Sequence, residues 1–429
     1  LCEIDRSAQA VLRERVIRNP RLNRGADDIE IVSDVRELAA SAAIPVNTEL
    51  LAAGFPCTDL SQAGKTAGFD GAQSGLIWSV LELLGKREVP WLLIENVPNM
   101  LRLGRGQGFR LLLQRLEALG YRWAYRVVDS RAFDLPQRRQ RVLLIASKDG
   151  DPKDVLFADD AGHFGGEPWG WSGETACGFY WTEGVRGLGW AVDAVPTLKG
   201  GSTVGVPSPP AIILPSGALV TPSIEDAERL QGFRKGWTLP AEQVAKRGFR
   251  WRLVGNAVSV PVARWVGSRL ARPGVATQTC VREVGLTEPL PDAAWSEGGA
   301  MLTAAISRWP KRPSQPRPFS SRRRWLLQAC DGTQQAQVSS RFSGGSQAAC
   351  RGDRGGLSKN MPSSAKWAKL RSNDGRKYRL RVDDAEAATA LEDRGFQVLT
   401  IWECETRDET VLRSRISPLL NAQSASGSA

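Results

Sequence analysis

Short apolar runs separated by stretches of helical period set the pattern of the first 150 residues. Leu50-Leu51-Ala52-Ala53 is a continuous apolar run that reads as a buried parallel strand, and it ends at Gly54-Phe55-Pro56-Cys57. A second run, Val89 to Ile94, ends in Glu95-Asn96-Val97, and a third spans Arg141 to Ala146. Ahead of them, Leu1 to Asp5 reads as the tail of a strand. Ala8, Val11, Leu12 and Val16 then recur at helical spacing behind Asp5, which is placed to cap the helix, and Ile29 to Val35 reads as another strand. Helices are expected from Leu76 to about Lys86 and from Phe109 to Leu119, with a strand from Tyr121 to Val128. Such alternation predicts an α/β fold with a Rossmann-like, mostly parallel sheet covered on both faces.

The pattern breaks near Asp151. Residues 151–220 are rich in glycine, proline and tryptophan (Trp169, Trp171, Trp181, Trp190) and have little periodicity, as expected of an inserted loop-rich region. Helical structure returns at Ser223, which forms a capping-box pattern with Asp226, and Gly232 follows as a stop. The expected division is a core over 1–150, an insert over 151–220, a return to the core over 221–272, a low-order basic linker over 273–365 and a C-terminal segment over 366–429. The linker reading rests on Arg308 to Arg324, with seven basic residues, four prolines and no acid, and on the Ser/Gly-rich 339–356. Order is expected to resume with a helix over 385–394 and a strand over 396–402.

Composition narrows the classes of partner. Lys and Arg exceed Asp and Glu by 57 − 46 = 11, which favours a polyanion such as nucleic acid. Seven cysteines without a CxxC pair, and a single histidine (His163), give neither a disulfide framework nor a zinc site, so no metal is expected. No apolar run approaches the roughly 18 residues of a membrane span, and a cytoplasmic protein is expected.

Candidate chemistry gathers at the strand ends. In an open α/β sheet, ligands bind beyond the carboxyl ends of the strands, where Cys57 and Glu95 both fall. Pro56 stops strand pairing and stiffens the turn that aims Cys57. A cysteine in this position is in most folds a small buried hydrophobe, so it needs companions to count as a nucleophile. Glu3, at a strand end, suits the hydroxyls of a ribose. Arg139 and Arg141 alternate with Gln140 and so share one face.

Five blocks stand in order: Gly54-Phe55-Pro56-Cys57, Glu95-Asn96-Val97, Gln137-Arg138-Arg139-Gln140-Arg141, Leu230-Gln231-Gly232-Phe233 and Gly255-Asn256-Ala257-Val258. Over roughly residues 1–270 the chain thereby resembles the DNA (cytosine-5) methyltransferase family. The resemblance implies S-adenosylmethionine as cofactor, with Glu3 on its ribose, Ile4 on its adenine, Asp34 on the adenine amino group, and Val35, Pro56, Leu76 and Asn256 lining the pocket. It implies double-stranded DNA as partner, residues 151–220 as the target-recognition region, Pro196 to Lys199 near the DNA backbone, and, in a restriction-modification system, a cognate endonuclease. Cys57 would add to C6 of a flipped cytosine. Glu95 would relieve charge at N3 and the amine, and Arg139 and Arg141 would hold the base carbonyl and a phosphate.

Departures from the family pattern keep other readings open. Thr58 follows Cys57 where glutamine is common. The family's opening glycine-rich turn is not found in the chain, which is expected to be either a fragment or impaired in binding the cofactor. A catalytically impaired DNA-binding remnant and a tRNA cytosine-5 methyltransferase are the alternatives. Residues 366–417 resemble the end of Vsr-like mismatch endonucleases through Lys369, Asn373 and Gly395 to Glu405, and a nuclease remnant without cleavage activity is expected there.

Overall fold

Asp5 starts the first helix as expected: its carboxylate accepts from the amides of Ser7 and Ala8, at 2.8 and 3.4 Å, at the head of α1 (Arg6–Leu12). The computed structural model describes residues 1–20, 29–42, 44–56, 75–162, 174–180, 191–200, 208–278 and 280–311, with the strands at 328–329, 367–371 and 377–381. After α1 the helix widens into one π turn over Arg13–Ile17. The strand expected over 29–35 is reduced to one parallel bridge, Cys2 to Val32. Asp34 ends it, because its carboxylate caps the amide of Arg36 and opens α2 (Val35–Ser41).

The chain then runs through β1 (Leu50–Gly54), α3 (Leu76–Lys86), β2 (Trp91–Asn96), α4 (Gln107–Ala118), β3 (Arg122–Asp129), β4 (Gln137–Arg138), β5 (Gln140–Ser147) and α5 (Pro152–Leu156). Next come β6 (Cys177–Phe179), β7 (Ala191–Val192), β8 (Val195–Pro196), β9 (Ala211–Ile213) and β10 (Leu219–Thr221). Helices α6 (Ile224–Leu230), α7 (Phe249–Asn256) and α8 (Val260–Ala271) follow, then β11 (Arg282–Glu283), β12 (Ala293–Glu297) and β13 (Ala300–Thr303). The strands β14 (Gln328–Ala329), β15 (Trp367–Arg371) and β16 (Lys377–Arg381) complete the described elements.

The main sheet has the order β1-β2-β5-β3-β12-β13-β11. Its strands alternate sides with period two. Leu92, Ile94, Trp123, Tyr125, Val127, Val142 and Leu144 pack under α3 and α4. On the opposite face Ala124, Val128, Leu143 and Ile145 meet α5 and α8 through Val155, Leu156, Val262 and Val266. The α/β class with helices on both faces therefore holds, but the pairing needs correction. Among the described strands of this sheet only β1 and β2 pair in parallel, and β5 lies antiparallel between β2 and β3. The ten residues from Ser130 to Arg139 are too few for a helical crossover, so the chain turns back beside β3. β1, β2 and β3 still point the same way. β1 is also less buried than expected: it ends the sheet order, and Leu50 is exposed while Leu51 and Ala53 pack on the core.

The low-order linker expected from residue 273 is overturned over 282–303. There β11, β12 and β13 extend the sheet beyond β3, with Ala293 opposite Arg126 and Trp295 opposite Ala124. The turn is Gly298-Gly299, both at positive φ (59° and 81°), which is the conformation a two-residue hairpin demands. Trp295 is buried against Phe157 with ring centroids 5.7 Å apart. Arg126, fully buried, donates to the carbonyls of Ser307 (2.9 Å), Leu156 (2.7 Å) and Asp159 (2.6 Å), tying the chain after β13 to the sheet. Burial pushes its guanidinium down to about 10.

The chain divides into two units, and the second draws on 167–192, 210–221 and 328–429. It holds an antiparallel sheet of order β14-β10-β9-β6-β7 around Cys177, Phe179, Ala211 and Ile213, and the β15–β16 hairpin. Residues 151–166 and 193–209 belong with the first unit instead of forming one insert with their neighbours. The expected helix over 385–394, the strand over 396–402, His163 and the four tryptophans of the insert lie outside the described residues. Among the described residues no helix is long and apolar enough to cross a membrane, and no group of three or more His, Cys, Asp and Glu could hold a metal ion.

Candidate active site

The parallel pair β1–β2 sets Gly54 opposite Glu95, so both strands deliver their ends to one place. Asn96 is buried there. Its amide nitrogen donates to the Phe55 carbonyl at 2.8 Å and its amide oxygen accepts from Val97 N at 2.8 Å. Asn96 thus holds the backbone one residue before exposed Pro56 and two before Cys57. Cys57 and Thr58 themselves lie outside the described residues. In the sequence Asn96 stands out only as a member of the Glu95-Asn96-Val97 block. Its conspicuous place beside a strand-end carboxylate was the available signal.

Glu95 and Arg141 sit diagonally on adjacent strands and are both largely shielded from solvent. Arg141 Nε lies 2.9 Å from Glu95 Oε1. The approach is off the N–H line, however, and that buried oxygen has no aligned hydrogen-bond donor among the described residues. Burial lowers the Arg141 guanidinium from its ordinary value, and the charge and hydrogen-bonding reach of Glu95 oppose the fall. Arg139 shares the face of Arg141 but does other work. It donates to the carbonyls of Gly255 (3.1 Å) and Ala257 (2.7 Å), bracketing Asn256, while its Nε is buried without a partner among the described residues. Burial, and then the charge of Arg141, push Arg139 down to about 9, so it stays protonated at neutral pH.

The remaining motif residues interlock beneath these arginines. Gln137 Nε2 donates to Leu230 O (2.9 Å), and Gln137 Oε1 accepts from Leu198 N (3.0 Å). Gln231 Nε2 donates to Val254 O (2.8 Å), and Gln231 Oε1 accepts from the Ser259 hydroxyl (2.8 Å), itself 3.0 Å from the hydroxyl of Ser130. All four side chains are buried, so each unpaired group would cost about 1–3 kcal/mol. Two glycines are required by close approach. A Cβ on Gly255 would lie 2.7 Å from Gly200 N, and one on Gly232, at φ +86°, would lie 2.5 Å from Pro261 Cδ. The 195–200 stretch is thereby committed to Gln137, Arg138 and Gly255: β8 pairs with β4, and Thr197 Oγ1 donates to Arg138 O at 2.8 Å.

The residues expected to face a nucleoside meet at the Cys2–Val32 bridge, where Glu3 N donates to Val32 O at 2.9 Å. Glu3 Oε1 accepts from Asp5 N (2.8 Å). Ile4, 74% exposed, offers a bare aliphatic face between that carboxylate and Asp5. Asp34 sits at the end of the paired segment, and its carboxyl is held below the usual range by hydrogen bonds from Arg36. Val35 is half-buried against the core, and Leu76, 37% exposed, opens α3. Asn256 is exposed at the end of α7. Arg252, one turn earlier on the same helix face, lies 3.8 Å from Asp5, so α7 is tethered to the Glu3–Ile4 end. A ribose acceptor, an exposed apolar face and a second carboxylate fit an adenosine group.

A Rossmann-like sheet with an adenosine-suited edge and a carboxylate–arginine pair at its strand ends is the architecture of a nucleoside-cofactor-dependent transferase. The model of the C-5 cytosine-specific DNA methylases matches residues 2–164. The Type II methyltransferase M2.BsuMI of Bacillus subtilis (strain 168) is 46% identical over 318 residues, covering 72% of this chain and 78% of that protein. M.BsuFI of Bacillus subtilis is 40% identical over 97 residues, 23% and 24% of the two chains. The solved S. pombe Dnmt2 methyltransferase is 14% identical, covers 63% of this chain and 89% of its own, and superposes with a TM-score of 0.35, too loosely to add weight. The chain belongs to the C-5 cytosine-specific DNA methylase family. It is a DNA cytosine-5 methyltransferase whose methyl donor is S-adenosylmethionine.

Proposed function

We propose that methyl transfer proceeds through attack of the Cys57 thiolate on C6 of a cytosine flipped from duplex DNA, with Glu95 and Arg141 as the polar pair that makes the attack possible. Cytosine C5 is a poor nucleophile until a thiolate adds at C6, when the ring becomes enamine-like. The addition places negative charge toward N3, where a proton from Glu95 or a hydrogen bond to it relieves the charge. The observation that carries this reading is the buried Glu95 oxygen without an aligned donor among the described residues, charge-balanced by Arg141: an N–H of the base would complete it. Asn96 holds the approach to Cys57 through Phe55 O. Arg139 acts as a positioning group for the Gly255–Ala257 turn, and Arg141 is the arginine that faces the base. S-adenosylmethionine supplies an electrophilic methyl on sulfonium. Glu3, Ile4 and Asp34 suit its adenosine, with Val35, Pro56, Leu76 and Asn256 around them. C5 would then bond to that methyl as S-adenosylhomocysteine departs, and loss of the C5 proton to water with elimination of the Cys57 thiolate from C6 would restore the ring.

The Type II names of the relatives support a place in a restriction-modification system, a cognate endonuclease acting on the same DNA sequence, and a cytoplasmic setting. Target recognition is assigned to the stretch within 151–220, and the C-terminal 366–429 segment to a nuclease remnant without cleavage activity. The test is transfer of labelled methyl groups to cytosine-containing duplex DNA and to tRNA. Label in DNA as 5-methylcytosine is expected, and Cys57→Ala should abolish it while DNA binding persists. Transfer by Cys57→Ala would remove the nucleophile assignment, and label confined to tRNA would replace the substrate.

A further inference from the structure

Arg15 takes no part in the chemistry above, yet it joins the Glu3–Ile4 end to the α6–α7 region. It leaves the π turn after α1 and donates through Nη2 to Gly236 O (2.8 Å) and through Nε to Trp237 O (3.1 Å), with its guanidinium 5.9 Å over the Trp237 ring. The loop that it grips is itself pinned from below. Glu228, fully buried on α6, accepts from Gly236 N (2.5 Å), Thr238 N (2.7 Å) and Thr238 Oγ1 (2.5 Å). It is paired with buried Arg250 of α7 at 2.9 Å. Arg250 also donates to Thr238 Oγ1 (2.9 Å) and Glu242 (2.7 Å). From α7, Arg252 returns to Asp5, the residue after Ile4. The circuit closes around α1.

We infer that Arg15, anchored through the Gly236–Thr238 loop to Glu228 and Arg250, is a positioning residue for the adenosine half of the methyl donor. This rests on the adenosine site proposed above. The physical reason is leverage: α1 is two turns long and carries Ile4 and Glu3 at its head, where the backbone is held by the Cys2–Val32 bridge and by Gln9 Nε2 donating to Glu3 O (2.6 Å), so the hold at the far end of the helix sets its tilt. Asp5–Arg252, at 3.8 Å with Arg252 about half exposed, is too weak a hold by itself. A shift of about an ångström at the carboxylate and aliphatic face is enough to spoil binding.

The test measures S-adenosylhomocysteine binding by calorimetry, duplex DNA binding by anisotropy, and steady-state rates, on the full chain and on Arg15→Leu and Arg15→Lys. Arg15→Leu is expected to weaken S-adenosylhomocysteine about tenfold, the equivalent of the two lost hydrogen bonds, with the loss in rate falling on KM for the donor, not on kcat. DNA affinity should stay within about twofold, and Arg15→Lys, which keeps one donor, should recover most of the loss. Equal binding by wild type and Arg15→Leu overturns the inference, as does a parallel loss of DNA affinity. Absence of S-adenosylhomocysteine binding by the wild type overturns the adenosine site itself, a separable result.

Discussion

Asn96 shows how one amide can matter more than its neighbours. Its nitrogen fixes the Phe55 carbonyl and its oxygen the Val97 amide, so the strand end and the approach to Cys57 are held by a single side chain. Asn96→Ala leaves both without their partner, at about 1–3 kcal/mol for the buried groups. The expected outcome is a kcat lowered about 10- to 100-fold, with S-adenosylhomocysteine affinity within about twofold. Rates and calorimetry together check it, and an unaltered kcat would show that the Phe55 carbonyl needs no such hold. At this scale the sequence was partly legible. Glu95 and Arg141 meet only because β5 runs antiparallel to β2, which sets the entry of one strand beside the exit of the other; the mostly parallel sheet expected from the sequence would have parted them. The separate duty of Arg139 was not legible, since its partners are carbonyls more than a hundred residues away and a carbonyl has no sequence signature.

Among the elements, the β12–β13 hairpin is the most informative. It covers what would be the open edge of β3, and an uncovered strand of that length is an aggregation hazard. Trp295→Ala should cost about 3–5 kcal/mol by emptying the space beside Phe157. Gly298→Asn, which tolerates the same left-handed backbone, should stay within about 0.5 kcal/mol. Urea unfolding of both variants checks the pair, and equal losses would mean that the turn, not the tryptophan, holds the edge. The local signal was present in the sequence: Gly298-Gly299 lies between Ala293-Ala294-Trp295 and Ala300-Met301-Leu302, a two-residue turn between apolar runs. The basic, proline-rich stretch that follows masked it. The reversed β5 was hidden for another reason, because apolar runs look alike in either direction. The lone bridge at Val32, by contrast, was decided by the Asp34 cap.

For the whole first unit, acid sensitivity is predicted at the Arg126–Asp160 junction. Burial opposes ionisation of Asp160, but hydrogen bonds from the hydroxyl and amide of Ser307, the charge of Arg126 and the Gly162 amide together hold its carboxyl below the ordinary 3.8. Between the folded value and 3.8 the unfolded chain binds the extra proton, so this contribution is complete above 3.8 and is lost as pH falls through the folded value. Asp160→Asn should therefore be less stable than wild type at neutral pH, with the gap closing as the pH drops below 3.8. Urea midpoints across that range check it, and a constant gap would place the effect in packing. A different kind of consequence attaches to the buried amides of Gln137 and Gln231 and the hydroxyl of Ser259. Chain emerging from the ribosome has Gln137 and both arginines of the site some 90 residues before it has Gln231 and some 120 before it has Ser259. Until Ser259 has left the exit tunnel, a half-made enzyme has the groups for chemistry but no complete frame to aim them, so incomplete translation products are expected to transfer no methyl groups.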